Sequence, residues 1–380
     1  MKIGFVSAHP MTYPGGVQNH ILGLKKEFEK RGHKVKVIFP IDKFFLKKNK
    51  EKISKDSIII GKAFYFTGNA SKANFNFEPS PSLIKKILEK ENFDILHFQN
   101  IGIISAFQIL KAVKKIGKKP MKILTLHSFW DASKILNLPI SFWFLNKKVL
   151  PIFDGIIFIS KPVSLQVDYQ GPSKIIPNGV DIDFFKPKGQ KIKKFDDNKI
   201  NILFVGRLEK RKGLIYLLLA FERLKKKRKN IRLIVVGDGK EKRKLEKIIK
   251  EKKIKDVFFE GEIKKDDLPK YYRTADICCF PSIFGEAFGI VILEAMASGK
   301  PVVAFANKGY KEVLKGKGGE FLVKPKDTEA LAEKLDLLIK NEKLRKEMGD
   351  WGRKEAEKYS WGEIAKKTLN FYQEIIKFKK

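Results

Sequence analysis

The sequence predicts an α/β protein built from two doubly wound domains with parallel sheets. Three observations carry that expectation. A chain of 380 residues is too long for one ordinary core and suits two domains. Short apolar runs alternate with stretches of helical period along most of its length. Two of those runs, near residues 2 and 202, each open a new alternating series and lead into a glycine-containing turn. No internal sequence repeat accompanies them.

In the first half, Lys2–Ser7 reads as a strand, 17–30 as a helix ended by Gly32-His33, and Lys34–Phe39 as the second strand. Between the first strand and the helix lies His9-Pro-Met-Thr-Tyr-Pro-Gly-Gly-Val-Gln18. Its Gly15-Gly16 pair stands just ahead of a helix N-terminus, where backbone and free N–H groups can approach a phosphate closely. The spacing is not Gly-x-Gly-x-x-Gly, so a dinucleotide fingerprint is not supported. Residues 41–82 read as irregular, with lysine-rich patches and the aromatic stretch Ala63-Phe-Tyr-Phe66. A helix over 82–91, the strand Ile95–Phe98, a helix over 103–116 and the strand Ile123–Leu126 follow. His127 stands at the carboxyl end of that last strand, before Ser128-Phe-Trp-Asp131. Strand carboxyl ends are where open α/β sheets bind ligands, so His127 is a candidate site residue. The alternative is a loop histidine that is merely hydrogen-bonded, and His97, inside a strand, reads as structural. Asn137–Leu150 is apolar and aromatic with the pair Lys147-Lys148. It suits a helix buried beneath the site or, alternatively, a segment lying on lipid. After the strand Ile156–Ser160, the turn Pro177-Asn-Gly179 closes the domain.

In the second half, Gly189–Lys199 reads as a loop and Ile202–Val205 opens the sheet. Gly206-Arg-Leu-Glu-Lys-Arg-Lys-Gly213 follows, with Arg207 and Lys212 projecting ahead of a helix. The strand 231–237 ends in Gly237-Asp-Gly239; a helix over 241–251, the strand Val257–Glu260, the loop Gly261-Glu-Ile263 and a helix over 268–274 come next. Ile277–Phe280 is a buried strand ended by Pro281-Ser282. Gly285-Glu286-Ala287-Phe288-Gly289 then leads into a helix over 290–298, stopped by Gly299 with Pro301 beyond. Glu286 and Glu294 lie seven residues apart, one before the helix and one inside it, so both can face one ligand. An incidental loop glutamate and a solvated helix glutamate are the plainer alternative. Strands at 302–304 and Glu320–Val323 and helices over 328–341, 343–360 and 361–379 complete the chain.

Gly206-Arg-Leu with Lys212-Gly213, upstream of Glu286-x7-Glu294 and downstream of Ile176-Pro-Asn-Gly-Val-Asp181, resembles the family 4 retaining glycosyltransferases of the GT-B fold. The resemblance covers nearly the whole chain, and Pro14-Gly-Gly-Val-Gln-x-His20 is similar to the phosphatidylinositol mannosyltransferases in particular. It implies Rossmann-like domains facing a cleft: an acceptor-side domain over 1–183, a nucleotide-sugar-binding domain over 184–360, and a terminal helix over 361–380 crossing back. The implied reaction moves a mannose- or glucose-type hexose from a GDP- or UDP-hexose to a lipid-linked or polysaccharide-precursor acceptor. The implied donor site comprises Gly16, Arg207, Lys212, Gly237, Ile263, Glu286, Phe288, Gly289, Ile290 and Glu294. The acceptor side comprises Gly15, Gly16, Gln18 and His127, with catalytic roles for His127, Glu286, Arg207 and Lys212.

The chemistry gives each group a task. Breaking the anomeric C–O bond leaves a diphosphate whose charge Arg207, Lys212 and the amides of Phe288, Gly289 and Ile290 would stabilise. Glu286 would hold sugar hydroxyls and Glu294 the ribose hydroxyls, and the resemblance implies that Ile263, after the loop glycine, lies against the base. The resemblance also implies retention of configuration by same-face attack, with the leaving phosphate accepting the acceptor's proton, so no enzymic nucleophile is assigned. No Asp-x-Asp stands near a strand end, and Asp181-Ile-Asp183 belongs to the linker motif. A metal-independent site with no cofactor is therefore expected.

The balance of 79 Lys+Arg against 43 Asp+Glu, net +36, suggests a polyanionic partner: nucleic acid, an anionic membrane face or a phosphorylated substrate. No nucleic-acid-binding signature accompanies it, and lysines spread over most helices also fit a merely solvated surface. No run of about 18 apolar residues predicts a membrane span. The first strand begins too early to leave room for a signal peptide. Adjacent Cys278 and Cys279 in a buried strand read as core residues, so a cytoplasmic location is expected, peripheral on the inner face of the plasma membrane. Three alternatives remain: a GT-B enzyme with a soluble acceptor, one with epimerase chemistry, and a non-enzymic polyanion-binding protein. A phosphorylase would need a cofactor-lysine motif that the sequence lacks.

Overall fold

Runs of branched and aromatic residues become parallel strands covered on both faces, as continuous apolar patterning requires. The computed structural model describes residues 1–11, 15–42, 55–67, 72–77, 79–100, 107–116, 120–129 and 143–378. The chain divides into one unit of Met1–Asn178 with Trp361–Lys380 and a second of Gly179–Ser360. The border falls inside the Pro-Asn-Gly turn, slightly ahead of the boundary expected at 183.

The first unit holds β1 (Lys2–Ser7), β2 (Lys34–Asp42), β3 (Ser57–Thr67), β4 (Lys72–Phe77), β5 (Ile95–Gln99), β6 (Met121–Leu126), β7 (Gly155–Phe158) and β8 (Ser173–Ile175). Their order is β4-β3-β2-β1-β5-β6-β7-β8, parallel except for the antiparallel pair β3–β4. The region 41–82, expected to be irregular, therefore carries two strands. Ser57-Ile-Ile-Ile60 supplies a strand-like run, and pairing of Val37–Phe39 with Ser57–Ile59 realises it despite the surrounding lysines. Residues 43–54 of that region, and Pro14, Trp130, Asp131 and 137–142, lie outside the described residues.

Sequence order reverses between β1 and β5, the switch point where open sheets bind ligands. The helix Gly16–Lys30 starts there, buries His20, Ile21, Leu24 and Phe28 at helical spacing, and packs them on the sheet. The terminal helix Trp361–Phe378 belongs to this unit. It buries Ile364, Phe371, Tyr372 and Ile375 in the same core, each worth roughly 1.5–3 kcal/mol of burial. The fit is close: a Cβ at Gly23 would come within 2.3 Å of the Trp361 ring, and one at Gly155 within 2.2 Å of Ile375.

The described end of the segment expected to be a buried helix splits its faces. Leu145, Val149 and Leu150 are buried in a π-helical turn and the 3-10 turn after it. Trp143 is 54% exposed with the Lys148 ammonium over its ring. No helix among the described residues is long and apolar enough to cross a membrane.

The second unit holds β9 (Ile200–Val205), β10 (Ile231–Val236), β11 (Val257–Gly261), β12 (Ile277–Phe280), β13 (Val302–Phe305) and β14 (Leu322–Val323). All pair in parallel, in the order β11-β10-β9-β12-β13-β14, so the reversal falls between β9 and β12. β14 is shorter than expected because Gly316–Phe321 winds into a 3-10 turn first. Cys278 and Cys279 are free thiols in the core. Asp181 accepts from the amides of Asp183 and Phe184, a turn-forming role. Arg353 donates to the carbonyls of Ile182, Phe185 and Ala297 and so pins the same segment.

Candidate active site

In the second unit the loops after β9 and β12 lie on either side of the switch point, and backbone hydrogen bonds tie the β9 loop both to the end of β10 and to the β12 loop. Gly206 N–H donates to the carbonyl of Val236, Leu208 N–H to Asp238, and Ile283 N–H to Arg211. Two glycines make this approach possible. Gly213, at φ +68°, lies so close that a Cβ would meet the Pro281 carbonyl oxygen at 2.0 Å. Gly237, at φ +127°, would meet that of Gly206 at 2.1 Å. Gly237 is thus explained by backbone packing between strand ends.

Those loops bring Arg207, Lys212 and Glu286 together, and they add two residues that sequence reasoning missed. Lys212 Nζ and Arg211 Nη1 each lie 2.8 Å from the same Glu286 oxygen. Glu209 bridges Arg207 at 2.8 Å and Arg211 at 3.0 Å. Three cations face two carboxylates, leaving the cluster net positive. Lys212 and Glu286 are 13% and 14% exposed, whereas Arg207 is 53% exposed and is the cation most open to a ligand. A carboxylate offers about four lone-pair sites, so Glu286 retains capacity for sugar hydroxyls beyond its two cations. Arg211 was hidden in the run Lys210-Arg-Lys212, where nothing in the sequence distinguishes one cation from the next.

Phe288 is buried and Gly289 precedes the helix Ile290–Ala297. Behind the loop, Tyr310 donates its hydroxyl to Ser282, and the Asn307 amide donates to the Ser282 carbonyl. A Cβ at Gly309 would come within 2.1 Å of the Glu286 carbonyl oxygen, so the Asn307–Tyr310 turn supports the Glu286 backbone from below. Glu294 is buried rather than solvated, and Tyr272 donates its hydroxyl to it at 2.8 Å. Burial pushes the Glu294 carboxyl up to about 7, with Tyr272 and Lys265 opposing the rise. Ile263 sits half-buried just past the end of β11.

In the first unit the strand ends carry no such charge cluster among the described residues. Gly15 precedes the helix Gly16–Lys30, and Gln18 donates its amide to the Pro10 carbonyl, bracing the described part of the loop after β1. His127, half-buried past β6, has Nε2 at 2.7 Å from Gln99 Oε1 and donates its backbone N–H to Asn100 Oδ1. Gln99 is fully buried and its own Nε2 has no partner, a donor left over beside His127. His20 packs edge-on against His127, ring centroids 4.6 Å apart, and bonds Asn178 at 3.0 Å. Burial lowers His20 to about 4 and holds His127 well below the usual imidazole range, with His20 and His97 adding to the latter. Both rings are therefore neutral near pH 7. His97 is held by Thr125 and by the Tyr372 hydroxyl, each at 2.6 Å, the structural role expected of it.

Comparison with known proteins agrees with the two halves. Residues 14–184 match the family described as Glycosyltransferase Family 4, and residues 185–355 match Glycosyl transferases group 1. A phosphatidyl-myo-inositol mannosyltransferase of Mycobacterium leprae is 28% identical over 384 residues, covering 99% of this chain and 97% of the relative. A glycosyltransferase structure from Rickettsia africae superposes with a TM-score of 0.77 at 23% identity, covering 99% of this chain and 98% of that one. An Anabaena protein solved with UDP and glucose gives 0.74 at 20% identity, covering 98% and 100%.

Proposed function

The chain belongs to the glycosyltransferases of the GT-B fold, a family 4 half joined to a group 1 half, and from that premise we propose that it transfers a hexose from a nucleotide-diphosphate sugar to a lipid-linked or glycan acceptor with retention of configuration. The observation that carries this reading is the convergence of Arg207, Arg211 and Lys212 on Glu209 and Glu286 at the switch point of the second sheet. Cations at partly exposed positions suit a leaving diphosphate, and the start of the helix Ile290–Ala297 adds N–H dipoles beside them. Glu286 positions the hexose, and Glu294, deeper in the same helix region, takes the ribose hydroxyls.

The acceptor hydroxyl forms the new bond to the anomeric carbon on the face that the diphosphate leaves. The departing phosphate oxygen takes the acceptor's proton, so no enzymic nucleophile or metal takes part. Gly15, Gly16, Gln18 and His127 belong to the half that handles the sugar and its acceptor. The mycobacterial relative is named for phosphatidyl-myo-inositol, and its similarity over nearly the whole chain supports an inositol phospholipid or related lipid as acceptor and mannose as the hexose. The net charge of +36 supports work at an anionic membrane face.

The test is product analysis after incubation with radiolabelled GDP-mannose or UDP-glucose and a lipid extract, with and without EDTA. The expected result is label in the lipid fraction from one donor, in α-linkage and unaffected by EDTA. Label confined to water-soluble product would overturn the lipid acceptor, and loss of transfer on chelation would overturn the metal-free reading.

A further inference from the structure

Two residues in motifs singled out in the sequence have no task in the donor chemistry: His20 and, in the Pro-Asn-Gly turn, Asn178. The fold brings them together across 158 residues, His20 Nδ1 lying 3.0 Å from Asn178 Oδ1. Both are buried, at 2% and 4% exposure. An amide oxygen only accepts, so Nδ1 carries the proton and donates it. The His20 ring is gripped from two sides: His127 at 4.6 Å and 78°, Trp361 of the terminal helix at 5.5 Å and 81°. The Asn178 carboxamide also acts on His127 as a hydrogen-bonding neighbour.

A buried polar pair of this kind is a poor source of stability, because an apolar side chain of similar volume would bury as well. What it supplies is a single ring orientation, since a satisfied polar network in a dry site tolerates few alternatives. We propose that His20 and Asn178 are positioning residues that fix the plane of His127 and keep positive charge away from it, so that His127 meets the transferring sugar as a neutral imidazole. The proposal rests on the reading of His127 as a site residue of a glycosyltransferase. The other groups facing His127 are Gln99 at its Nε2 and the imidazoles of His97 and His9; His97 is itself held by Thr125 and Tyr372.

The test is Asn178→Asp, which puts a carboxylate at the His20 Nδ1–H and raises the pH at which His20 becomes an imidazolium. The expected result is that kcat of the variant, relative to the wild type, falls by roughly tenfold between pH 8 and pH 6, with the KM for the nucleotide sugar unchanged. A second variant, His20→Asn, keeps an N–H donor toward Asn178 but removes the ring from His127. It should lower kcat by a similar factor with the donor KM and Tm little changed. The histidine C–H resonances of both variants, followed through pH, give a readout that needs no turnover: the His127 signal should report the titration of His20 in Asn178→Asp. If the wild type transfers no sugar, the glycosyltransferase reading fails while the resonances still test the His20–His127 coupling. A pH-independent kcat ratio, or a His127 resonance blind to His20, overturns the proposal.

Discussion

The two units present the same topology at their switch points and opposite electrostatics. Past β9 and β12, three cations and two carboxylates form a chain of ion pairs at partly exposed positions. Past β1, β5 and β6, His20 and His127 are imidazoles that burial holds below the usual imidazole range, beside the carboxamide of Gln99. A shared scaffold therefore does not dictate the chemistry of its loops. The contrast suits a reaction in which one partner is a diphosphate and the other a hydroxyl. Each prediction tests one side of it.

The largest effect is expected at Glu286, which the proposed function sets against the sugar. Glu286→Gln should reduce turnover by roughly 10²-fold or more with the circular dichroism spectrum unchanged. Its amide would no longer neutralise Lys212 and Arg211, so the diphosphate itself should bind at least as well. Transfer at the wild-type rate would remove Glu286 from the reaction.

Glu294 is a place in the second unit where burial works against charge, as it does at the histidines of the first. The folded protein holds that proton to about pH 7, whereas the unfolded chain releases it near 4.5. Between those values the folded state binds more protons, so this group makes stability fall as pH rises from about 4.5 to about 7 and level off above. At about 1.4 kcal/mol per tenfold change, the loss is bounded at about 3.5 kcal/mol. Glu294→Gln should abolish this pH dependence in denaturant titrations and stand above the wild type at pH 8. A variant that parallels the wild type from pH 5 to pH 8 would show that Glu294 ionises normally.

How much of this was legible in the sequence depends on how local each cause is. The strands and their order of appearance follow from apolar runs, and Gly213 and Gly237 sit where strand ends crowd one another, so both are marked by the residue type itself. Arg207, Lys212, Glu286 and Glu294 stood out by spacing. Glu209 and Arg211 did not, because a bridging carboxylate is recognised only when its two arginines are seen in space. Tyr272, which meets Glu294, and Asn178, which meets His20, are partners supplied by distant parts of the chain. β3 and β4 were missed for the same reason: they lie in lysine-rich sequence, and pairing of β3 with β2 and of edge strand β4 with β3 stabilises them more than their own pattern does.

Neutralising Arg207 or Lys212 should weaken nucleoside-diphosphate binding by about 1.5–3 kcal/mol, the range for hydrogen bonds to charged groups. The affinity of the free nucleoside should barely change. The more buried Lys212 should lie at the upper end and Arg207, 53% exposed, at the lower. Calorimetry that finds equal losses for nucleoside and diphosphate would assign both residues to the scaffold.

The smallest effects per residue are expected at the surface of the first unit, where its positive charge gathers away from the histidines. Lys114, Lys122, Lys147 and Lys148 line an open cavity of about 460 Å³ with Pro151, Ile152 and Asp154. This cavity adjoins the amino ends of β6 and β7, since Lys122 and Asp154 sit at their starts, whereas His127 follows the carboxyl end of β6. Exposed Trp143 stands beside Lys148. A lysine near an anionic bilayer contributes about 1 kcal/mol, screened within about 10 Å at 0.1 M salt, while an inserted indole adds a part that salt does not remove. Lys147→Ser and Lys148→Ser should each reduce sedimentation with anionic vesicles by about fivefold at low salt. Trp143→Ala should remove the remainder that persists at high salt. Binding to zwitterionic vesicles should be weak throughout. If the wild type fails to sediment with anionic vesicles even at low salt, the membrane face is excluded, and the histidine-lined strand ends of the first unit then serve an acceptor that arrives from solution.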